Sequence, residues 1–186
     1  MTRERWREAG VPILVFLLGL ATILGAWTAE LGFGYLPCPL CLQQRIPYYV
    51  GLPIVAFAIA AALWGAPSRW VRLIMAVSGV AWGVGVYLAI NHAGVEWGWW
   101  PGPPDCGTTG AVTGIKTPQD LIARLNGIRI VSCTEAAWRF LGLSFAGWNA
   151  VMSLALTGGA AYAAAGGFSS EPITILRKTP KVSERA

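Results

Sequence analysis

Long apolar runs alternate with short polar segments along this chain. Four of the runs are long enough to cross a membrane as helices, because about 20 residues span the hydrocarbon core. None of the four carries a charged residue near its middle. They cover residues 12–31, 46–64, 70–90 and 144–166. The pattern predicts an all-α membrane protein, a four-transmembrane-helix bundle in which residues 1–186 form a single membrane domain.

The composition supports a membrane protein and disfavours a soluble one. Hydrophobic residues make up 55% of the chain and charged residues only 12%, against about 25% charged residues in ordinary soluble domains. The net charge of +5 is spread over the termini and short connections. No basic stripe is long enough to follow a phosphate backbone, so nucleic acid is not an expected partner. The expected surroundings are a lipid bilayer.

The distribution of basic residues predicts the topology. Nine of the 14 Lys and Arg residues lie in the two termini and around the connection between the second and third runs. Positive residues stay inside, which predicts a multi-pass membrane protein with both termini cytoplasmic. The other connections, residues 32–45 and 91–143, are then periplasmic loops. Arg3, Arg5 and Arg7 also resemble the start of a signal peptide, but the run after them is longer than the apolar part of such a peptide.

All four cysteines fall on the predicted outer side. Cys38 and Cys41 lie in the first periplasmic loop, and Cys106 and Cys133 lie in the second. An even set of cysteines outside the membrane is typical of an oxidising compartment, in which thiols form disulfides. The cysteines therefore favour disulfide chemistry.

The Cys38-Pro39-Leu40-Cys41 segment is the strongest chemical signal. Cys-x-x-Cys pairs are readily tuned, and the pKa of the attacking cysteine falls well below its usual value near 8.5. The motif precedes the second run, where a helix N-terminus favours an anionic sulfur. If this turn is helical, Arg45 projects from the same face as both cysteines. Because Pro47 cannot donate a backbone hydrogen bond, the segment up to residue 46 also fits a separate turn.

Simpler interpretations of these residues remain open. The Cys-x-x-Cys pair fits half of a zinc site completed by Cys106 and Cys133, although the spacing of the second pair is unlike that of zinc ligands. The second pair also fits a structural disulfide. Arg45 also fits a membrane-interface anchor, and His92, the sole histidine, an ordinary interfacial residue. We expect no metal.

The second periplasmic loop contains one predicted element. Thr117 and Asp120 form a capping pattern around Pro118. Apolar residues then recur at helical spacing, at Leu121, Ile122, Leu125 and Ile128. We expect a short amphipathic periplasmic helix that lies flat on the membrane surface.

The order of these motifs resembles the bacterial disulfide-bond formation protein B family. Four predicted spans, an outward Cys-x-Leu-Cys followed by x-x-Gln-Arg, a second outward cysteine pair, and Phe-Leu-Gly-Leu-Ser at 140–144 before the last span carry the resemblance. It covers nearly the whole chain and implies that the membrane is the bacterial inner membrane. Members of that family reoxidise a soluble periplasmic thioredoxin-like thiol oxidase and pass the electrons to membrane quinone. This chain differs in having Pro39 inside the motif and Gln44 where an acidic residue is common.

The resemblance implies a role for each cysteine. The partner's thiolate attacks Cys106 and forms a mixed disulfide. Cys133, the bridge partner of Cys106, exchanges with Cys38. Cys41 is the thiolate that faces the quinone. The chain is thus expected to be a protein-disulfide:quinone oxidoreductase.

The resemblance also implies a cofactor site and leaves two rivals. Arg45 and His92 polarise a carbonyl oxygen of the quinone, which is ubiquinone or menaquinone. One rival is a thiol and quinone enzyme of the vitamin K epoxide reductase type, in which the Cys-x-x-Cys motif follows the loop cysteines instead of preceding them. The other is a non-catalytic tetraspan protein with structural disulfides.

Overall fold

The structure is a computed structural model that describes residues 3–103, 129–130 and 133–167. Five helices and four two-residue strands follow one another in these residues. They are α1 (Arg3–Phe33), β1 (Tyr35–Leu36), α2 (Pro39–Gln43), α3 (Ile46–Trp64), α4 (Ser68–Glu96), β2 (Arg129–Ile130), β3 (Arg139–Phe140), β4 (Leu143–Ser144) and α5 (Phe145–Ala164). The amphipathic helix expected after residue 117 lies outside the described residues.

Three helical segments of the described chain are long and apolar enough to cross a membrane. They are Arg5–Phe33, Pro39–Trp64 and Ser68–Glu96, which confirms a helical membrane protein. The fourth predicted span, 144–166, folds as helix α5 but is not one of the three. Helix α5 carries Asn149, Ser153 and Thr157, and these polar side chains make it less apolar. The count of four spans therefore stays a prediction.

Helix α1 begins nine residues before the first predicted span, at Arg3 instead of Pro12. Pro12 lies inside the helix. A proline there removes one backbone hydrogen bond, yet the helix continues through this position. Contacts with the end of α3 and the start of α4 hold the first turns. The Ser68 hydroxyl donates to Glu8 at 2.5 Å, and Arg5 donates to the carbonyl of Leu63 at 3.4 Å. Tertiary contacts thus extend the helix beyond its apolar run.

Helix α4 also runs past its predicted end and continues to Glu96. The helix therefore extends six residues into the segment predicted as the second loop, which was expected to start at about residue 91. The polar residue His92 did not end the helix, because its side chain is buried and contacts Gln44 and Cys38. Trp97 is the C-cap of the helix, and Gly98 follows it with a φ of +72°. His92 therefore lies on a helix and not in a loop.

The segment before α3 forms its own short helix, as the position of Pro47 suggested. Helix α3 begins at Ile46 and ends at Trp64, which matches the second predicted span. Pro47 occupies its first turn, where a missing N–H costs nothing. Helix α2 ends at Gln43, so Gln44 and Arg45 join the two helices.

Two short strand pairs lie beside the helices. Strand β1 pairs in parallel with β2, and Tyr35 is opposite Arg129. Strands β3 and β4 form an antiparallel pair. Because β1 shortly precedes Cys38 and β2 shortly precedes Cys133, the parallel pairing brings the two cysteine-bearing segments together.

The helices pack around Trp82 on α4. Its side chain is fully buried, and its ring meets Tyr48 of α3 edge to face at 5.3 Å between centroids. Helix α4 packs against α3 and α5, and α1 packs against the same two helices. Gly51 of α3 faces the indole so closely that an added Cβ lies 2.6 Å from it. The absence of a side chain at Gly51 makes this approach possible.

This close approach predicts that Gly51→Ala destabilises the protein. Overpacking against the buried indole costs about 1–3 kcal/mol of unfolding free energy. Gly83→Ala is the matched control, because no atom lies within 4 Å of its added Cβ and alanine favours a helix. Denaturant unfolding in detergent, followed by circular dichroism, compares the two. Equal or greater stability of Gly51→Ala would contradict the packing described.

Candidate active site

The Cys-x-x-Cys motif forms the start of helix α2. Cys38 is the N-cap, and its sulfur accepts a hydrogen bond from the backbone N–H of Cys41 at 3.2 Å. Pro39 occupies the first turn, where its fixed φ suits a helix start. The two sulfur atoms lie 2.7 Å apart, and both residues are free cysteines. The short helix thus holds two thiols side by side, ready to be oxidised to a disulfide.

Cys38 is the buried member of the pair, with 2% of its surface exposed, whereas Cys41 is half-buried. His92 on α4 faces Cys38, and its Nε2 atom lies 3.8 Å from the sulfur. Glu96, one turn further along α4, lies 3.9 Å from the same nitrogen. The Ser144 hydroxyl donates to the other oxygen of Glu96. Helix α4 therefore supplies a histidine and a carboxylate to the motif.

These surroundings favour a thiolate at Cys38. The hydrogen bond from the Cys41 thiol has the largest effect, and His92 adds to it. Together they lower the pKa of Cys38 from 9.0 to about 5, although burial opposes the change. Cys38 is thus ionised at neutral pH and becomes protonated only as the pH falls through about 5. A stabilised thiolate also favours the reduced form of the pair, which makes the corresponding disulfide more oxidising.

Cys133 lies next to this motif. It is disulfide-bonded and fully buried. Cys133 packs in one buried cluster with Cys38, Leu40 and Val95. Its expected bridge partner, Cys106, lies outside the described residues. The structure therefore brings one cysteine of the second pair against the first.

Arg45 lies at the joint between α2 and α3. Its Nη1 atom donates to Glu30 of α1 at 2.5 Å, and its side chain is 12% exposed. The ion pair ties the end of α1 to the segment that carries the cysteines. Glu30 lies near the end of the first predicted span, residues 12–31, and the sequence pattern did not predict its pairing with Arg45.

Among the described residues, Cys133 is disulfide-bonded and therefore is not available as a ligand of a four-cysteine zinc site. Within the described chain, the donor atoms of Cys38, Cys41 and His92 lie within 4.8 Å of one another. A closed structural zinc site has four ligands. The arrangement of the cysteines is thus better suited to thiol chemistry.

Comparison with known proteins identifies the family. The family model described as "Disulfide bond formation protein DsbB" matches residues 8–163. The chain belongs to the DsbB family. It is therefore a membrane protein of disulfide bond formation, with an oxidoreductase role.

Individual relatives agree with the family model. The chain is 30% identical over 173 residues to "Disulfide bond formation protein B" of Xanthomonas axonopodis pv. citri, a match that covers 88% of this chain and 94% of the relative. It is 32% identical over 151 residues to the protein of the same description from Acidovorax sp., covering 73% and 79%. No solved structure matches.

Several polar residues of this DsbB-family site were missed by sequence reasoning. Glu96 follows His92 by four residues, a spacing that places both on one helix face, but the helix was predicted to end at residue 90. Gln44 was noted only as a departure from the family. Asn149 was not considered, and nothing in its neighbourhood along the chain indicates a partner 105 residues away.

The proximity of His92 predicts that His92→Phe raises the pKa of Cys38. The phenyl ring keeps the volume but loses the hydrogen bond, and such bonds to charged groups correspond to a shift of roughly one to two pH units. The first thiol to titrate, followed by thiolate ultraviolet absorbance, reports this in a reduced protein in which Cys106 and Cys133 are both serine. If the first thiol titrates at the same pH in the parent and in His92→Phe, His92 does not stabilise the Cys38 thiolate, and the prediction is contradicted.

Proposed function

We propose that the chain oxidises the dithiol of a soluble thioredoxin-like thiol oxidase and passes the electrons to membrane quinone. The observation that supports this most is the buried cluster that holds both disulfide-bonded Cys133 and Cys38. Two cysteine pairs that lie close together can exchange by thiolate attack. The pairs thus act in series, with the loop pair facing the partner and the Cys-x-x-Cys pair facing the membrane.

The relay conserves electrons at each exchange. A partner thiolate attacks Cys106, forms a mixed disulfide and releases the Cys133 thiolate. Cys133 then attacks Cys38 of the Cys38–Cys41 disulfide, so a Cys133–Cys38 bond forms and Cys41 leaves as a thiolate. The second partner thiolate next releases Cys106, which attacks Cys133 and frees Cys38. The partner ends oxidised, the loop disulfide is restored, and both electrons rest on the Cys-x-x-Cys pair.

The environment of Cys38 suits the last exchange, in which Cys106 attacks Cys133 of the Cys133–Cys38 disulfide. Cys38 is then the leaving group, and a thiol of low pKa leaves faster. Hydrogen bonds from Cys41 and His92 lower the pKa of Cys38 to about 5. The state in which Cys133 is disulfide-bonded and Cys38 and Cys41 are free corresponds to the end of this sequence.

The residues around Cys41 fit a quinone. Three large side chains that follow the motif in sequence are each about half exposed: Leu42, Ile46 and Tyr49. They offer an apolar surface to a quinone ring and its isoprenoid tail. A bound quinone supplies a two-electron, two-proton acceptor. Arg45 would hold a carbonyl oxygen through its guanidinium, which Glu30 keeps in place. Both ring nitrogens of His92 already contact Gln44 and Cys38, so we assign His92 to Cys38 instead of to the quinone.

The location follows from the family and the charge distribution. We propose an inner-membrane protein with cytoplasmic termini and periplasmic cysteine loops. The vitamin K epoxide reductase alternative is disfavoured because the motif precedes the loop cysteines. A scaffold with only structural disulfides has no use for free thiols with a lowered pKa at Cys38.

The quinone site predicts a graded effect of substitutions at Arg45. Lysine keeps the charge but not the planar fork of donors, and alanine loses both. Loss of a charge-assisted hydrogen bond of about 1.5–3 kcal/mol raises the apparent KM for quinone roughly 10- to 150-fold. We expect KM to rise from parent to Arg45→Lys to Arg45→Ala.

The measurement is quinone reduction by purified protein in detergent, with a reduced thioredoxin-like oxidase as donor. Arg69→Ala is the control, because Arg69 lies exposed at the opposite end of α4, beside Trp70. Its curve should match that of the parent. If the rate depends on quinone concentration in the same way in the parent, both Arg45 variants and Arg69→Ala, Arg45 is only a membrane anchor. That result would contradict the proposed quinone site.

A further inference from the structure

A chain of hydrogen bonds connects His92 to the interior of the helix bundle. The Gln44 Nε2 atom lies 2.6 Å from Nδ1 of His92. The Asn149 Nδ2 atom donates to Oε1 of Gln44 at 2.5 Å, and the Tyr48 hydroxyl donates to Oδ1 of Asn149 at 2.6 Å. Tyr48 also lies 3.4 Å from Ser153. These hydrogen bonds join the segment between α2 and α3 to helices α4 and α5.

The orientation of the Gln44 amide is determined by two neighbours. Its Nε2 atom donates to the carbonyl oxygen of Leu40 at 3.4 Å, and a carbonyl can only accept. Its Oε1 atom accepts from Asn149. A reversed Gln44 amide would place two oxygen atoms against each other at Leu40, and it would also require the Asn149 amide to reverse. Gln44 therefore presents its NH₂ group to His92.

The orientation of Gln44 fixes the proton on His92. A side-chain NH₂ group only donates, so Nδ1 of His92 must accept. The ring proton then lies on Nε2, which faces the sulfur of Cys38. The opposite tautomer would put N–H against NH₂ at Gln44 and a lone pair against the thiolate.

We propose that Gln44 and Asn149 are positioning residues that keep the His92 proton on Nε2, where it serves as a hydrogen-bond donor to the Cys38 thiolate. This inference rests on the proposed function, in which Cys38 is released as a thiolate in every cycle. Burying polar groups costs free energy unless their hydrogen bonds are satisfied. A continuous polar chain among buried apolar side chains is explained by this orienting role.

Other titratable groups near Cys38 do not replace this donor. Among the described residues, Cys41 on α2, and His92 and Glu96 on α4, face the site. One carboxylate oxygen of Glu96 lies 3.9 Å from the Nε2 atom of His92 and so also favours a proton there, while the other oxygen accepts from Ser144. Cys133 is disulfide-bonded and does not titrate. A change in the His92 tautomer is therefore expected to affect Cys38 directly.

The histidine proton can be located by nitrogen-15 NMR. His92 is the sole histidine of the chain, so histidine-labelled protein gives one ring without assignment. We expect a protonated Nε2 and an unprotonated Nδ1 in the reduced parent, without quinone or partner. In Gln44→Glu, an acceptor replaces the donor, and we expect Nδ1 to gain a proton. A protonated Nδ1 in the parent, or an unprotonated Nδ1 in Gln44→Glu, would overturn the proposal.

A second readout reports the consequence for Cys38. Asn149→Leu removes the partner that orients Gln44. We expect the first thiolate midpoint to rise by roughly 0.5 to 1 pH unit, a three- to tenfold loss of thiolate below the midpoint. Ser78→Ala is the control, since its buried hydroxyl donates only to Met75 within α4 and the midpoint should not move. An unchanged midpoint in Asn149→Leu would contradict the positioning role.

Both readouts are independent of quinone. A parent protein that reduces no quinone would disprove the proposed function, whereas the ring protonation and the Cys38 midpoint would still decide the tautomer. Failure of the positioning role and failure of the proposed function are therefore separable.

Discussion

A thiolate buried among apolar helices is stable only when hydrogen-bond donors surround it, and the site depends on this constraint. Cys38 is almost completely buried, and burial alone raises the pKa of a thiol. The Cys41 thiol, the Cys41 backbone N–H and His92 reverse that effect. Helix α2 supplies the first two donors through its N-cap geometry, and helix α4 supplies the third.

The packing of the helices places these donors. Glycine at position 51 lets α3 approach Trp82, and this approach sets the distance between α3 and α4. Gln44, in the joint before α3, then reaches His92, while Asn149 on α5 reaches Gln44. Glu30 and Arg45 connect α1 to the same segment. All four long helices thus contribute to one site.

The sequence predicted the parts of the fold that depend on local patterns. Apolar runs located helices α1, α3, α4 and α5, and the bounds of α3 were correct. The start of α1 and the end of α4 were not predicted, because a part-buried contact of Glu8 and buried contacts of His92 with other segments extend these helices. Hydropathy cannot show such contacts.

The candidate site also has parts that local sequence patterns predicted and parts that depend on tertiary contacts. Spacing identified the Cys-x-x-Cys pair and Arg45, since the motif is local in the chain. The cluster of Cys133 and Cys38, the Arg45–Glu30 pair and the hydrogen bonds through Asn149 join residues far apart in sequence. These contacts exist only after the helices pack, so a single sequence does not reveal them.

The central claim is that the Cys-x-x-Cys pair delivers electrons to quinone. The most direct test uses the protein with Cys106 and Cys133 both changed to serine, reduced and mixed with quinone without oxygen. The account predicts that one Cys38–Cys41 disulfide forms for each quinone reduced, measured by thiol-trapping mass spectrometry and quinol absorbance. Thiols that stay free beside unreduced quinone would contradict it.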